Sequence, residues 1–282
     1  MRPRDSATAH SAQRPAGDTR PILFCVPHAG GSATVFLQWR ELLSDLVDVV
    51  PIELSGRGVR MSEPLKTSAQ DSGADVAVKM YEHLAAHGSG RDYLIWGHSM
   101  GSLVAYEAYH ALRRMLTDRA DAGTGPIAEE PAHIVFSGRT PPHVDVETND
   151  YYLLRDDDEF IDAVDTYGGG TASTLRASQE LREMFLPILR ADFEVSETYE
   201  WTAPEDRIRS RVTILNGADD VSVSSDKLGA WQDLVALPIT EMRAPGGHFF
   251  LYEQDDLVRQ VVQSALSPSP GHQTSTTGKA PQ

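Results

Sequence analysis

Cysteine is almost missing from this chain of 282 residues. The single thiol, Cys25, lies inside the apolar run Ile22-Leu23-Phe24-Cys25-Val26, so an intramolecular disulfide is impossible, a reducing compartment fits, and a buried structural cysteine is expected. Long apolar runs are missing too. No stretch approaches the ~20 apolar residues of a membrane span, and Met1-Arg2-Pro3-Arg4-Asp5-Ser6 carries no apolar leader core, so the expected location is cytoplasmic, away from membranes. Positive charge is scarce: 25 basic against 41 acidic residues give a formal net charge of -16, a field that repels nucleic acid and anionic lipid. Screening confines electrostatic contact to roughly 8 to 10 Å, so a local basic patch for an acidic partner remains compatible with that sign. The histidines and carboxylates do not cluster at ligand spacing, and one cysteine excludes a thiolate zinc site; no metal and no cofactor are expected.

What remains is ordinary globular composition, with 40% apolar residues. Residues 1–20 and 267–282 are rich in small and polar residues without periodicity and read as disordered tails around one domain over 21–266. Strands are expected at Ile22–Val26, Val47–Leu54, Tyr93–Trp96, His133–Ser137, Arg211–Asn216 and Pro238–Arg243. Helical spacing recurs at about 34–46, 73–88, 100–117, 226–236 and 254–266. This alternation predicts an α/β fold: a mostly parallel sheet with helices on both faces and function at the C-terminal strand ends. From about 141 to 204 the strand rhythm gives way to helices around Gly168-Gly169-Gly170, an inserted helical lid. Within it Met184-Phe185-Leu186 and Phe193 are candidates for an acyl channel, with packing of the lid on the core as the equal alternative.

Gly97-His98-Ser99-Met100-Gly101 follows a strand directly and precedes a helix directly. A lone GxSxG is common by chance, but this setting is that of the nucleophile elbow of the α/β-hydrolase fold, whose glycines relieve crowding where strand turns sharply into helix. A serine hydroxyl needs a base at neutral pH. His248 is the candidate, because it follows the last strand across Ala244-Pro245-Gly246-Gly247, whereas His10 and His272 lie in the tails and His83 and His87 on a helix. The acid that orients it should follow the preceding strand, where Asp219 and Asp220 compete. The Gly-x-x-Asp spacing favours Asp220, leaving Asp219 as an exposed turn or cap residue. Ser99, Asp220 and His248 also stand in the chain order of that fold. The oxyanion donors should be the N–H groups of Met100 and of Ala29, in the loop His28-Ala29-Gly30-Gly31. No Gly-Lys-Ser/Thr follows that loop, so it is not a nucleotide cradle.

Several segments together carry a resemblance. They are Leu23 to Ser32, Gly56-Arg57-Gly58 with Arg60, Gly97 to Gly101, Ser137-Gly138-Arg139, Leu189-Arg190-Ala191-Asp192-Phe193, Gly217 to Asp220, and Pro245 to Phe250. From about Pro21 to Leu257 the chain resembles the type II thioesterases that accompany polyketide synthases and nonribosomal peptide synthetases, relatives of the stand-alone medium-chain acyl thioesterases. The resemblance implies a substrate class, acyl groups on the phosphopantetheine arm of an acyl or peptidyl carrier protein that docks transiently; separately, a monomer without a cofactor of its own is expected. The resemblance also implies Ser99, Asp220 and His248 as the triad, Ala29 and Met100 as oxyanion donors, and removal of stalled or misprimed acyl groups as the role. Ser55, Ala218 and Thr171 depart from the family pattern and bear on lid shape and acyl preference. Competing readings are a small-molecule carboxylesterase or lipase, an acyltransferase using the same triad, and a non-catalytic carrier-binding module.

Overall fold

The computed structural model describes residues 19–88, 90–121, 123, 127–144 and 149–267. Apart from Thr19, Arg20 and Ser267, the two expected tails lie outside them. Six strands form one sheet: β1 (Ile22–Val26), β2 (Asp48–Pro51), β3 (Tyr93–His98), β4 (His133–Ser137), β5 (Arg211–Gly217) and β6 (Thr240–Ala244). Their order is β2-β1-β3-β4-β5-β6, and every neighbouring pair is parallel.

Alternation along the strands explains why helices cover both faces. Ile22, Phe24 and Val26 join the core beneath α2 (Ala69–His87) and α3 (Met100–Asp121), while Leu23 and Cys25 join the core beneath α1 (Leu37–Leu42) and α7 (Asp255–Leu266). A strand buried on both faces reads as a continuous apolar run. Cys25 is accordingly buried and unpaired. This is the expected α/β-hydrolase architecture.

Element ends shift for local reasons. β6 starts at Thr240, past the expected Pro238, because proline has no N–H for the ladder. The helix expected at about 73 begins at Ala69, where the Ser68 hydroxyl accepts the Asp71 N–H. Residues Ser225–Leu234 form 3-10 turns in place of the expected α-helix. Their buried anchors, Leu228, Trp231 and Leu234, recur every third residue, the period at which a 3-10 helix keeps side chains on one face.

The chain leaves β1 for β2 and then crosses back to β3, so β1 pairs with both. The crevice beyond the C-terminal ends of β1 and β3 is therefore the switch point where such sheets build sites. Between β4 and β5 lies the lid insertion: α4 (Asp157–Asp165), α5 (Thr171–Ala177) and α6 (Gln179–Glu197). It has its own small core of Phe160, Ile161, Val164, Leu175, Leu186, Leu189 and Phe193. Among the described residues, no helix is long and apolar enough to cross a membrane.

Candidate active site

Ser99 stands between β3 and α3 with φ of 56°, a left-handed backbone conformation that costs a non-glycine residue of order 1 kcal/mol or more. Backbone crowding explains its glycine neighbours. A Cβ on Gly97 would lie 2.2 Å from the Gly101 carbonyl oxygen, and one on Gly101 would lie 2.3 Å from that of Val26. Beneath the turn, the Ser99 N–H donates to the Ser137 carbonyl at 2.8 Å. The Ser102 hydroxyl lies 2.8 Å from the Gly97 carbonyl and 2.9 Å from that of Ser137, and the Trp96 indole N–H donates to the Ser137 hydroxyl at 3.0 Å. The strain is thus held by neighbours on α3 and β4.

The loop after β6 brings His248 over Ser99. Its Nε2 lies 2.8 Å from the Ser99 Oγ, and its Nδ1 lies 2.8 Å from Asp220 Oδ2. Of the two competing acids, Asp220 is the buried partner. Asp219 is exposed and accepts the Gly246 N–H at 3.2 Å, which ties the loop carrying the acid to the loop carrying the base. Sequence reasoning missed Ser222: its hydroxyl and N–H donate to Asp220 Oδ1 at 2.6 and 3.0 Å, and its hydroxyl also lies 3.0 Å from His248 Nδ1. Burial pushes the Asp220 carboxyl up, but the hydrogen bond and positive charge of His248, with the Ser222 bonds, outweigh it and hold the group below its ordinary value.

Two more imidazoles, His28 and His98, sit close by. The His98 ring is 5.2 Å from that of His248 and 6.1 Å from that of His28. Burial, then the charges of His248 and Arg57, push His28 down to about 3; burial and the neighbouring histidines push His98 far down as well. The neutral form is thus favoured for both rings, so neither adds a positive charge beside the His248–Asp220 pair.

The two residues expected as oxyanion donors, Ala29 and Met100, lie near Ser99, in the wall of the same cavity and at the next position of the chain. Met100 opens α3, so its N–H is one of those a helix start leaves without a backbone partner. Ala29 lines the same cavity as Ser99, and its N–H makes no hydrogen bond to the described residues.

That cavity has a volume of about 430 Å³ and lies between the lid and the sheet edge, with Ser99, His248, Tyr167, Leu189, Phe193 and Phe249 in its wall. The expected channel residues are therefore corrected. Only Phe193 of the four reaches it; Leu186 is buried in the lid core, Phe185 packs against that core, and Met184 is 42% exposed. The inner face of α6 is instead Leu189, Phe193 and Ser196, spaced at helical intervals.

Sequence reasoning also left Gly56-Arg57-Gly58 and Asp192 without a structural meaning. Arg57 and Asp192 form a buried bidentate pair, at 2.6 and 2.7 Å. Its sequence signals are an arginine between two glycines and an acid in the apolar run Ile188-Leu189-Arg190-Ala191-Asp192-Phe193. Among the described residues, no cluster of three or more His, Cys, Asp or Glu is arranged to hold a metal.

Comparisons with known proteins agree with this geometry. A family model described as a thioesterase domain matches residues 21–265. The gramicidin S biosynthesis protein GrsT of Aneurinibacillus migulanus is 31% identical over 82% of this chain and 83% of its own. The solved structure of RedJ, a thioesterase from the prodiginine pathway of Streptomyces coelicolor, is 30% identical with a TM-score of 0.74, covering 93% of this chain and 91% of its own. YbtT, a type II thioesterase from the yersiniabactin NRPS/PKS pathway, is 28% identical with a TM-score of 0.71, covering 89% and 96%.

Proposed function

The chain belongs to the thioesterase family, and from that premise we propose that it is a stand-alone hydrolase that removes acyl groups from the phosphopantetheine arm of acyl or peptidyl carrier proteins. Relatives named for NRPS/PKS and antibiotic pathways support the role of clearing stalled or misprimed carriers. One observation carries the chemistry: the unbroken chain of contacts from the Ser99 Oγ through both nitrogens of His248 to Asp220, at 2.8 Å in each step, opening into the cavity beneath the lid.

The reaction runs in two halves. His248 Nε2 takes the Ser99 proton as the oxygen attacks the thioester carbonyl, and the N–H groups of Ala29 and Met100 hold the oxyanion. The C–S bond breaks, the pantetheine thiolate receives the proton from His248, and an acyl-serine remains. Water then loses a proton to His248 and attacks the ester. The Ser99 oxygen leaves and regains that proton, and the acid is released. No step calls for a metal or a redox cofactor. Asp220 supplies the negative partner that makes the imidazolium accessible in both halves.

The test compares hydrolysis of a hexanoyl thioester on a carrier protein with that of the matching nitrophenyl ester at equal concentration. Faster turnover of the carrier substrate is expected. Cleavage of the simple ester with every loaded carrier left intact would replace this reading with that of an esterase.

A further inference from the structure

Gly56 and Gly58 have φ of 77° and 51°, and between them Arg57 is turned into the interior. There its guanidinium meets the Asp192 carboxylate of α6, and the two residues are 4% and 2% exposed. The pair is bidentate, Arg57 NH1 to Oδ2 at 2.6 Å and NH2 to Oδ1 at 2.7 Å. Neither residue lines the cavity itself. Both hold the loop that contributes to it. The Gly30 N–H donates to Asp192 Oδ2 at 2.7 Å, and Arg57 NH1 donates to the Gly31 carbonyl at 3.1 Å.

The loop so held is a tight turn, closed by the Gly31 N–H to the His28 carbonyl at 2.9 Å, with Gly30 at φ of 75°. A turn with positive φ at its third residue depends on the orientation of its central peptide, Ala29–Gly30. Asp192 holds the N–H of that peptide and Arg57 the carbonyl of Gly31 beyond it, which anchors the turn that carries the Ala29 N–H. Leu189, one turn earlier on α6, closes the other side: a Cβ on Gly30 would lie 2.5 Å from Leu189 Cδ2. Stability alone does not account for the device, because a buried ion pair is often replaced by apolar residues without loss, and the buried Arg57 Nε has no partner among the described residues.

We propose that Arg57 and Asp192 are positioning residues that clamp the oxyanion loop to α6, holding the Ala29 N–H where negative charge develops. The proposal rests on the reading that Ser99 attacks the acyl carbonyl and that Ala29 stabilises the product of that attack. It has a consequence for the lid. Because α6 carries both the clamp and the cavity residues Leu189, Phe193 and Ser196, it belongs to the catalytic frame.

The test uses the full chain with the apolar pair Arg57→Met/Asp192→Leu, which removes both charges and leaves neither orphaned, and with Asp192→Asn as a milder variant. Two inhibitors separate positioning from packing. An acyl trifluoromethyl ketone forms a tetrahedral adduct with Ser99 and places an alkoxide at the oxyanion position; the matching pantetheine thioether occupies the cavity without reacting. The expected result is a fall in kcat of about ten- to a hundred-fold, less than or similar to loss of one oxyanion donor. KM and thioether affinity stay near wild type, and affinity for the trifluoromethyl ketone falls in parallel with kcat. Wild-type kcat in a folded variant overturns the proposal, as does equal loss of affinity for both inhibitors, which would make the pair a part of the cavity shape. If the double variant does not fold, the same readouts on Asp192→Asn decide. Failure of the catalytic reading is seen separately, as undiminished hydrolysis by Ser99→Ala.

Discussion

Asp220→Asn is the perturbation whose outcome the geometry constrains most. Asp220 Oδ2 faces His248 Nδ1 at 2.8 Å, while Oδ1 accepts both the hydroxyl and the N–H of Ser222. An amide has one oxygen for these two sites. With the oxygen toward Ser222, the NH2 meets Nδ1 and selects the tautomer whose Nε2 carries a proton toward Ser99 and cannot accept another. With the oxygen toward His248, the NH2 meets the Ser222 N–H, a fixed donor. In either case the charge opposite the forming imidazolium is lost. A unit charge at ~4 Å in an effective dielectric of ~20 contributes about 4 kcal/mol, or about three decades of rate. The assay is release of free thiol from a soluble hexanoyl thioester, with a melting curve to show that the variant folds. A fall in kcat of about a thousand-fold, with KM changed far less, is expected. Retention of activity within about ten-fold would refute this role, the more decisively if Asp219→Asn were the inactive variant.

Other consequences are equally open to measurement. Asp219→Asn should lower kcat by less than about ten-fold, because its carboxylate accepts the Gly246 N–H, a bond that survives in an amide, and its backbone N–H to the Gly246 carbonyl is untouched; kinetics beside Asp220→Asn check this. Gly97→Ala places a methyl group against backbone and should cost about 1 to 3 kcal/mol of stability together with most of the activity; denaturant titration and thiol release read both, and an active, undiminished protein would contradict the crowded elbow. Phe193→Ala removes a cavity wall that packs on Phe160 and Tyr167, and kcat/KM for dodecanoyl over hexanoyl thioesters should rise. His110 and His133 are pushed down to about 4, chiefly by burial, from the ordinary 6.5 that they regain on unfolding. The unfolded chain therefore binds more protons in that window. Stability should be full above pH 6.5 and fall as the pH drops toward 4, by about 2 kcal/mol for each histidine at about pH 5. Melting temperatures across that range test it, and a flat profile would count against buried neutral histidines.

The parts of the fold that were legible in the sequence depend on local chemistry. The five-residue apolar run of β1 and the shorter run Ile134-Val135-Phe136 of β4, each ending at turn residues, mark strands buried on both faces, and GxSxG between strand and helix marks the elbow wherever the two flanking elements are themselves clear. The choice of Asp220 over Asp219 was legible from its distance after β5. Other parts depend on phase or on distant partners. Which face of α6 meets the cavity is set by how the helix docks, and composition alone could not separate Phe193 from Phe185 and Leu186. Ser222 is a common residue type whose role appears only when the loops after β5 and β6 meet. Arg57 and Asp192 are 135 positions apart, and nothing in either segment names the other.

The central claim is that Ser99 carries out hydrolysis of carrier-bound acyl thioesters. The most direct measurement is the intact mass of a carrier protein loaded with acetyl, hexanoyl or aminoacyl phosphopantetheine, followed during incubation with wild type and with Ser99→Ala. The account predicts loss of the acyl mass, leaving free phosphopantetheine on the carrier, with wild type alone. Survival of every loaded carrier, or equal loss with Ser99→Ala, would contradict it.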